Sequence, residues 1–568
     1  VAPCNRRLTR EGRAILLSSG SLSELDVAAA EGAFLRSIGV RKLETWFRAH
    51  GDLLVLAVIA ASLLAQVAAT RDRSLNPDEA LTYGFINLPG PVAAYERTRT
   101  GSAHPPLFFL ALYFWTLVGR SEFFLRLLSE LFGAGFLWFV YRWTGRLFGM
   151  VAGFLAVLII VLSPMWPPLT SEVRDYSLML LLSMAALAEF EIGVEERSEV
   201  KILLSAVFLC LAILSHYSAI FVTASFVTYQ LVRLRMTRAP RKLFATWAVC
   251  QGAVAAVYLF LYFTQLKSLR GSAMEDRAVT TWLRLGYFEH GRENPVWFVV
   301  RQAKELFLYF FGSSYLAAVS IVLTVAGLIV FGRRRHPAVL LFALPFVLGA
   351  AAGLLGAYPF SGTRHSAYLI PAVAVPMAVA VSALFETRRR ASLLVLAALV
   401  PLCWSSPVWS TSAHSLSDMN DAVAYIRGRA APGSLLFSDH RTGSVLSYYL
   451  GRDARNTERA GLEDFRERYT GGYCLVDSPV WAPDPKAFGD ELERMIRVYR
   501  LPPGQRLRVA RLGFEYDSAR VLSSRFPDAI FPDSRNFGEL SIVEIWLGDG
   551  SEEREPQGKG RGLAGAGQ

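Results

Sequence analysis

The chain has 568 residues, 53% of them hydrophobic and 19% charged, and its mean hydropathy is positive. A water-soluble protein of this length carries fewer apolar and more charged side chains, so an ordinary soluble enzyme is excluded. The formal net charge of +11 does not point to nucleic acid, because the basic residues cluster between apolar blocks, where membrane topology accounts for them.

In chain order, residues 1–50 read as a cytoplasmic N-terminal extension without the apolar core of a signal peptide. Apolar blocks of spanning length follow at 52–69, 122–141, 148–164, 176–193, 200–215, 217–234, 243–264, 314–332, 337–357, 366–385 and 391–407. They predict a mainly α, polytopic helical bundle of about eleven spans over 51–408. With a cytoplasmic N-terminus, the even-numbered connections should be basic. YRWTGRLFG (141–149), RLRMTRAPRK (233–242), GRRRH (332–336) and ETRRRA (386–391) fit; EERSEVK (195–201) does not. The outer loops are then 70–121, 163–177, 265–313 and 357–366. The run 106–118 is too short to span and opens on a proline pair, so it reads as an interfacial helix.

An odd span count leaves the C-terminal part outside the cell inner (cytoplasmic) membrane. Residues 409–547 alternate helix-like and strand-like stretches, such as MNDAVAYIRGR, SLLFSDH, GGYCLVDSP, FGDELERMIRVYR and GELSIVEIWL. They predict a small extracytoplasmic α/β domain. Residues 548–568, rich in glycine and charge, read as a disordered tail. The five cysteines form no CxxC and no metal-ligand spacing.

The candidate chemistry lies in the outer loops. NPDEALTYGF places Asp78 and Glu79 at a helix start, with Glu79 and Tyr83 four apart on one face. Such a carboxylate can be a solvated loop residue, a general base or a ligand for a divalent cation. His104 precedes a proline pair that would fix its direction, or simply punctuate the loop. Glu172, Arg174, Asp175 and Tyr176 follow SPMWPP, and charges so near a membrane are costly unless paired or used. The bland alternative is a salt bridge of Glu172 with Arg174 or Arg126. His216 sits at a span boundary, where a packed polar residue is the commoner outcome. Arg364 and His365 lie where bilayer meets water; Arg364 suits a lipid phosphate, or an interfacial anchor.

The ordered series of these motifs resembles the integral-membrane glycosyltransferases of the GT-C type. It is most similar to bacterial relatives of protein O-mannosyltransferases and of the lipid A aminoarabinose transferase, in the subgroup labelled RgtA/B/C/D-like. The matching residues are Asp78, Glu79 and Ala80; Pro105, Pro106 and Leu107; Arg126, Leu127 and Ser129; Gly145 to Gly149; Ser171, Glu172, Arg174 and Tyr176; and Arg364 with Pro371. The resemblance covers about residues 50–385.

It implies inverting transfer of a sugar from a polyprenyl-phosphate-linked donor to a hydroxyl of a lipid, polysaccharide or protein acceptor on the outer face. Asp78 is then the expected base, Glu79 and Glu172 further acids of the site. His104, Arg174, Asp175, Tyr176, His216, Arg364 and His365 are expected to bind substrate. Metal use varies within this group, so a divalent metal is compatible but unassigned, with Asp78 as its ligand if there is one; no other cofactor is implied. The residues alone agree: an acceptor hydroxyl gains from a carboxylate base, and cations stabilise a departing phosphate. No P-loop or dinucleotide fingerprint is present. The competing reading is a membrane transporter or lipid-linked sugar flippase, but the spans hold few acids and show no repeat.

Overall fold

The computed structural model describes residues 24–404, 415–429, 434–451, 457–470, 472–478, 485–513 and 517–548. The tail expected to be disordered, beyond Gly548, and the first part of the N-terminal extension lie outside the described residues. The chain divides into two compact units: Val1–Arg71 with Tyr95–Ser410, and Asp72–Ala94 with Thr411–Gln568.

The first unit is helical. The expected spans fall on Glu24–Thr70, Glu122–Phe148, Met150–Leu162, Tyr176–Glu195, Glu199–Ser215, Ala219–Met236, Arg241–Leu261, Ser314–Arg333, Ala338–Leu354, Ile370–Thr387 and Arg389–Leu399. Among the described residues, 6 helices are long and apolar enough to cross a membrane. The 13-residue Met150–Leu162 rises only about 20 Å, short of a hydrocarbon core of about 30 Å. Leu53, Leu64, Val207, Val249, Phe263 and Val322 are exposed. In water such a surface would aggregate; against lipid it is the expected outer face of helices whose backbone bonds are satisfied internally. The chain is therefore a multi-pass membrane protein.

Local sequence sets the helix ends. Ser121, Ser198 and Ser313 accept hydrogen bonds from the backbone N–H groups of Phe124, Lys201 and Leu316, capping three helices. Gly149, at φ +100°, separates Glu122–Phe148 from Met150–Leu162. A Cβ at Gly327 would lie 2.1 Å from the Pro376 carbonyl oxygen, so glycine lets helices Ser314–Arg333 and Ile370–Thr387 touch by backbone. Leu107–Trp115 has 9 residues, too few to span.

The second unit holds a seven-stranded sheet, ordered β2-β3-β4-β1-β5-β7-β6. The strands are β1 Leu435–Ser438, β2 Thr457–Ala460, β3 Arg466–Thr470, β4 Tyr473–Asp477, β5 Arg506–Leu512, β6 Ile530–Phe537 and β7 Leu540–Trp546. β1 runs parallel to β4 and β5; the remaining pairs are antiparallel. Phe488, Leu492 and Met495 share one face of helix Pro485–Val498 and pack on Phe437, Val476 and Val543. The Arg468–Asp477 pair, 3.1 Å, and the Arg508–Glu544 pair, 3.2 Å, are buried between strands.

The loop 70–121, read from sequence as part of the membrane domain, is divided between the two units. Asp72 accepts from the Leu416 N–H at 2.9 Å, and Arg73 bridges Ser415. The Leu75 N–H donates to Tyr449 Oη at 2.9 Å, and the Tyr83 ring stands edge-on to Tyr448. The physical reason is burial. Helix Pro77–Ile86 carries Tyr83, Phe85 and Ile86, and helix His440–Gly451 offers the tyrosine face that covers Tyr83.

Candidate active site

Asp78 and Glu79 occupy the first turn of helix Pro77–Ile86. Asn76 caps the helix: its side chain accepts from the Glu79 N–H at 2.9 Å, and Glu79 Oε2 accepts from the Asn76 N–H at 2.9 Å. This reciprocal capping box gives buried Glu79 a structural task. Asp78, at the next position toward the N-terminus, is half-buried. Both belong to the second unit.

The other expected residues gather in the first unit. His104 Nδ1 lies 3.0 Å from Asp175 Oδ2. The His104 and His216 rings are 5.2 Å apart, and Tyr176 lies 4.8 Å from His216 and 6.4 Å from His365. The Tyr358 hydroxyl donates to the His365 carbonyl oxygen at 3.2 Å. Arg364 pairs with Glu172 at 3.3 Å, tying loop 163–177 to loop 357–366. Arg364 is a partner of Glu172 that the sequence did not suggest. Ser129 Oγ donates to the Arg174 carbonyl oxygen at 3.1 Å and holds that loop to helix Glu122–Phe148.

Burial drives the electrostatics. It pushes the Asp175 carboxyl up, but His104, His216 and Arg174 outweigh it and hold Asp175 well below the usual carboxylate range. Burial pushes the His216 imidazole down to about 4 against the pull of Asp175, while His104 and Arg174 add to the depression. Asp175 is therefore ionised and His216 neutral at neutral pH. Ser218 frames His216 Nδ1, with its N–H at 3.1 Å and its hydroxyl at 2.8 Å. When the N–H donates, Nδ1 is the acceptor and Nε2 carries the proton. Nε2 is buried and, among the described residues, has no hydrogen-bond partner.

Two occupants satisfy that nitrogen. An acceptor oxygen can take the Nε2 proton. A cation can take the Nε2 lone pair when the Nδ1 proton faces Ser218 Oγ. The second option has a ready donor set, because ligand atoms of His104, Asp175 and His216 all lie within 4.8 Å of one another. Two imidazoles and a carboxylate suit zinc or another first-row divalent ion. The sequence left the metal unassigned, with Asp78 as its ligand if there is one; the geometry brings His104, Asp175 and His216 together. Sequence reasoning also missed Ser218 and Gln265. Gln265 Nε2 donates to the His104 carbonyl oxygen at 3.1 Å from a π-helical turn, Tyr262–Leu266. A polar amide ending an apolar block was its only signal.

The family model described as dolichyl-phosphate-mannose-protein mannosyltransferase matches residues 103–263, the stretch that carries His104, Asp175 and His216. No curated protein matches the chain. Among solved structures, ArnT from Cupriavidus metallidurans in the apo state aligns with TM-score 0.52 and 13% identity, over 88% of this chain and 98% of that chain. The same protein bound to undecaprenyl phosphate aligns with TM-score 0.52 and 14% identity, over 87% and 98%. The archaeal oligosaccharyltransferase AglB from Archaeoglobus fulgidus, in complex with an inhibitory peptide and a dolichol-phosphate, gives TM-score 0.52 and 15% identity over 82% and 70%. The fold is that of the GT-C type integral-membrane glycosyltransferases.

Proposed function

We propose that the chain is a glycosyltransferase that moves one sugar from a polyprenyl-phosphate-sugar donor to an acceptor hydroxyl on the outer face of the membrane. The observation that carries this reading is the buried His104–Asp175–His216 cluster, with Arg174 and Arg364 beside it, inside the stretch matched by the mannosyltransferase family model. Two solved structures of the same fold hold undecaprenyl phosphate and a dolichol-phosphate. Donors of that class fit the cationic side chains here.

The acceptor oxygen attacks the sugar C1 from the face opposite the phosphate. The C1–O bond to phosphate breaks with its electron pair, leaving polyprenyl phosphate, and the configuration inverts. Asp78 takes the acceptor proton, a task of general-base catalysis worth about 10²–10⁴-fold in rate. Arg174 and Arg364 face the charge that develops on the leaving phosphate. Glu172 keeps Arg364 in place. A divalent ion held by His104, Asp175 and His216 would add positive charge for the same phosphate.

The test is transfer in membranes supplied with undecaprenyl-phosphate-linked sugars. Asp78→Asn should express normally and lose transfer, and His104→Ala should lose it as well. Wild-type transfer in Asp78→Asn would remove the base; wild-type transfer in both would remove the site.

A further inference from the structure

A second polar site lies at the far end of helix Ala219–Met236 from Ser218. The helix has 18 residues and so rises about 27 Å, which sets its two ends well apart. At the far end, a cavity of about 330 Å³ is lined by Arg235, Arg238 and Arg241 around Leu234, Phe244 and Ala245. The three guanidinium groups are exposed, and among the described residues none has a carboxylate partner. Nearby acids are already used: Glu191 pairs with Arg233, Glu195 with Arg146, and Glu199 with Lys242.

The backbone supplies an independent observation. Arg238 stands at φ +50°, in the left-handed conformation that glycine adopts freely and other residues avoid. It closes the helix end, with the Ala239 N–H donating back to the Leu234 carbonyl oxygen at 3.0 Å. Two other connections of this helical unit do the same. Arg197 has φ +53° beside the Ser198-to-Gly193 bond, and Arg335 has φ +51° beside the His336-to-Phe331 bond. Arginine thus sits in the same strained position three times. Favourable charge at a helix C-terminus does not account for it at Arg238, because Arg233 and Arg235 already provide that charge in ordinary helical geometry.

We propose that this pocket binds the phosphodiester headgroup of an anionic phospholipid, with the acyl chains along Phe244 and Ala245. Guanidinium groups match phosphate oxygens in paired hydrogen bonds, and an apolar floor beside them suits a lipid rather than a free anion. The site is separate from the His104 cluster and does not depend on the glycosyltransferase reading.

The full chain, purified in neutral detergent, should show a higher Tm with phosphatidylglycerol than with phosphatidylcholine. Arg238→Gly removes the backbone strain, so its Tm without lipid should stay level or rise. Its affinity for phosphatidylglycerol, read by native mass spectrometry, should fall about fivefold, the effect of one arginine near a membrane surface. Arg235→Gln with Arg241→Gln should remove most of the Tm gain. Equal gains from the two lipids, or unchanged phosphatidylglycerol binding in both variants, would overturn the proposal. Inorganic phosphate reproducing the gain at matched concentration would overturn the lipid assignment.

Discussion

His216 shows how one residue's surroundings determine its chemistry. In isolation a boundary histidine is unremarkable; here burial holds it neutral, with a pKa of about 4, beside an ionised Asp175. The consequence for stability has a definite sign. The unfolded chain binds a proton at His216 below pH about 6.5, while the folded chain resists doing so until about 4. The stabilisation is complete above about 6.5 and is lost as pH falls toward 4, at roughly 1 kcal/mol per pH unit. His336, also pushed down to about 4 by burial, contributes in the same direction. Thermal scans in detergent from pH 7 to 4.5 should therefore lose Tm more slowly for His216→Gln than for wild type. Parallel curves would show that His216 is not held neutral. The residue types of this cluster were legible in sequence. Their pairing was not, because His104, Asp175 and His216 come from three separate stretches that only packing joins.

Among the elements, the short helix Pro77–Ile86 is the one whose role changed most. NPDE was readable as a helix start, and the reciprocal bonds of Asn76 and Glu79 explain why. That bonding separates the roles of the adjacent acids. Glu79→Gln keeps the capping bond and should retain both stability and transfer. Glu79→Ala breaks it and should cost about 1 kcal/mol, measured by thermal unfolding. Loss of transfer in Glu79→Gln at unchanged Tm would instead give Glu79 a direct part in the chemistry. The C-terminal sheet was legible only where strands are apolar, as in YCLVD and LSIVEIW. RLRVARL of β5 looks too charged for an inner strand. It is one because Arg508 is neutralised across the sheet by Glu544, its register partner on β7. Helix His440–Gly451 begins HRTG, where His440, Thr442 and Gly443 are weak helix formers whose placement depends on contact: a Cβ at Gly443 would fall 1.6 Å from Asp477 Oδ1.

At the scale of the whole molecule, the chain builds two units, and the loop 70–121 is shared between them in sequence. Asp78 depends on the second unit for its placement, through the contacts of Leu75 and Tyr83 with Tyr449 and Tyr448. Removing residues 411–568 should abolish transfer while leaving the helical unit folded and monodisperse in detergent. Retained transfer would show that Asp72–Ala94 keeps its working position without the sheet. The sequence by itself determined the membrane class, the mainly helical bundle, the C-terminal α/β domain and the residue types of the site. Hydropathy, charge bias and capping residues are properties of neighbouring positions, so they can be read along the chain. Tertiary structure alone decided which carboxylate meets which histidine, that Arg364 pairs with Glu172, and that Asp78 travels with the C-terminal unit. Those facts rest on contacts between residues tens to hundreds of positions apart, and burial fixes them only once the helices and the sheet have packed. RSLNPDEALTYGF thus carries its helix start in its own letters, while its partners are written elsewhere in the chain.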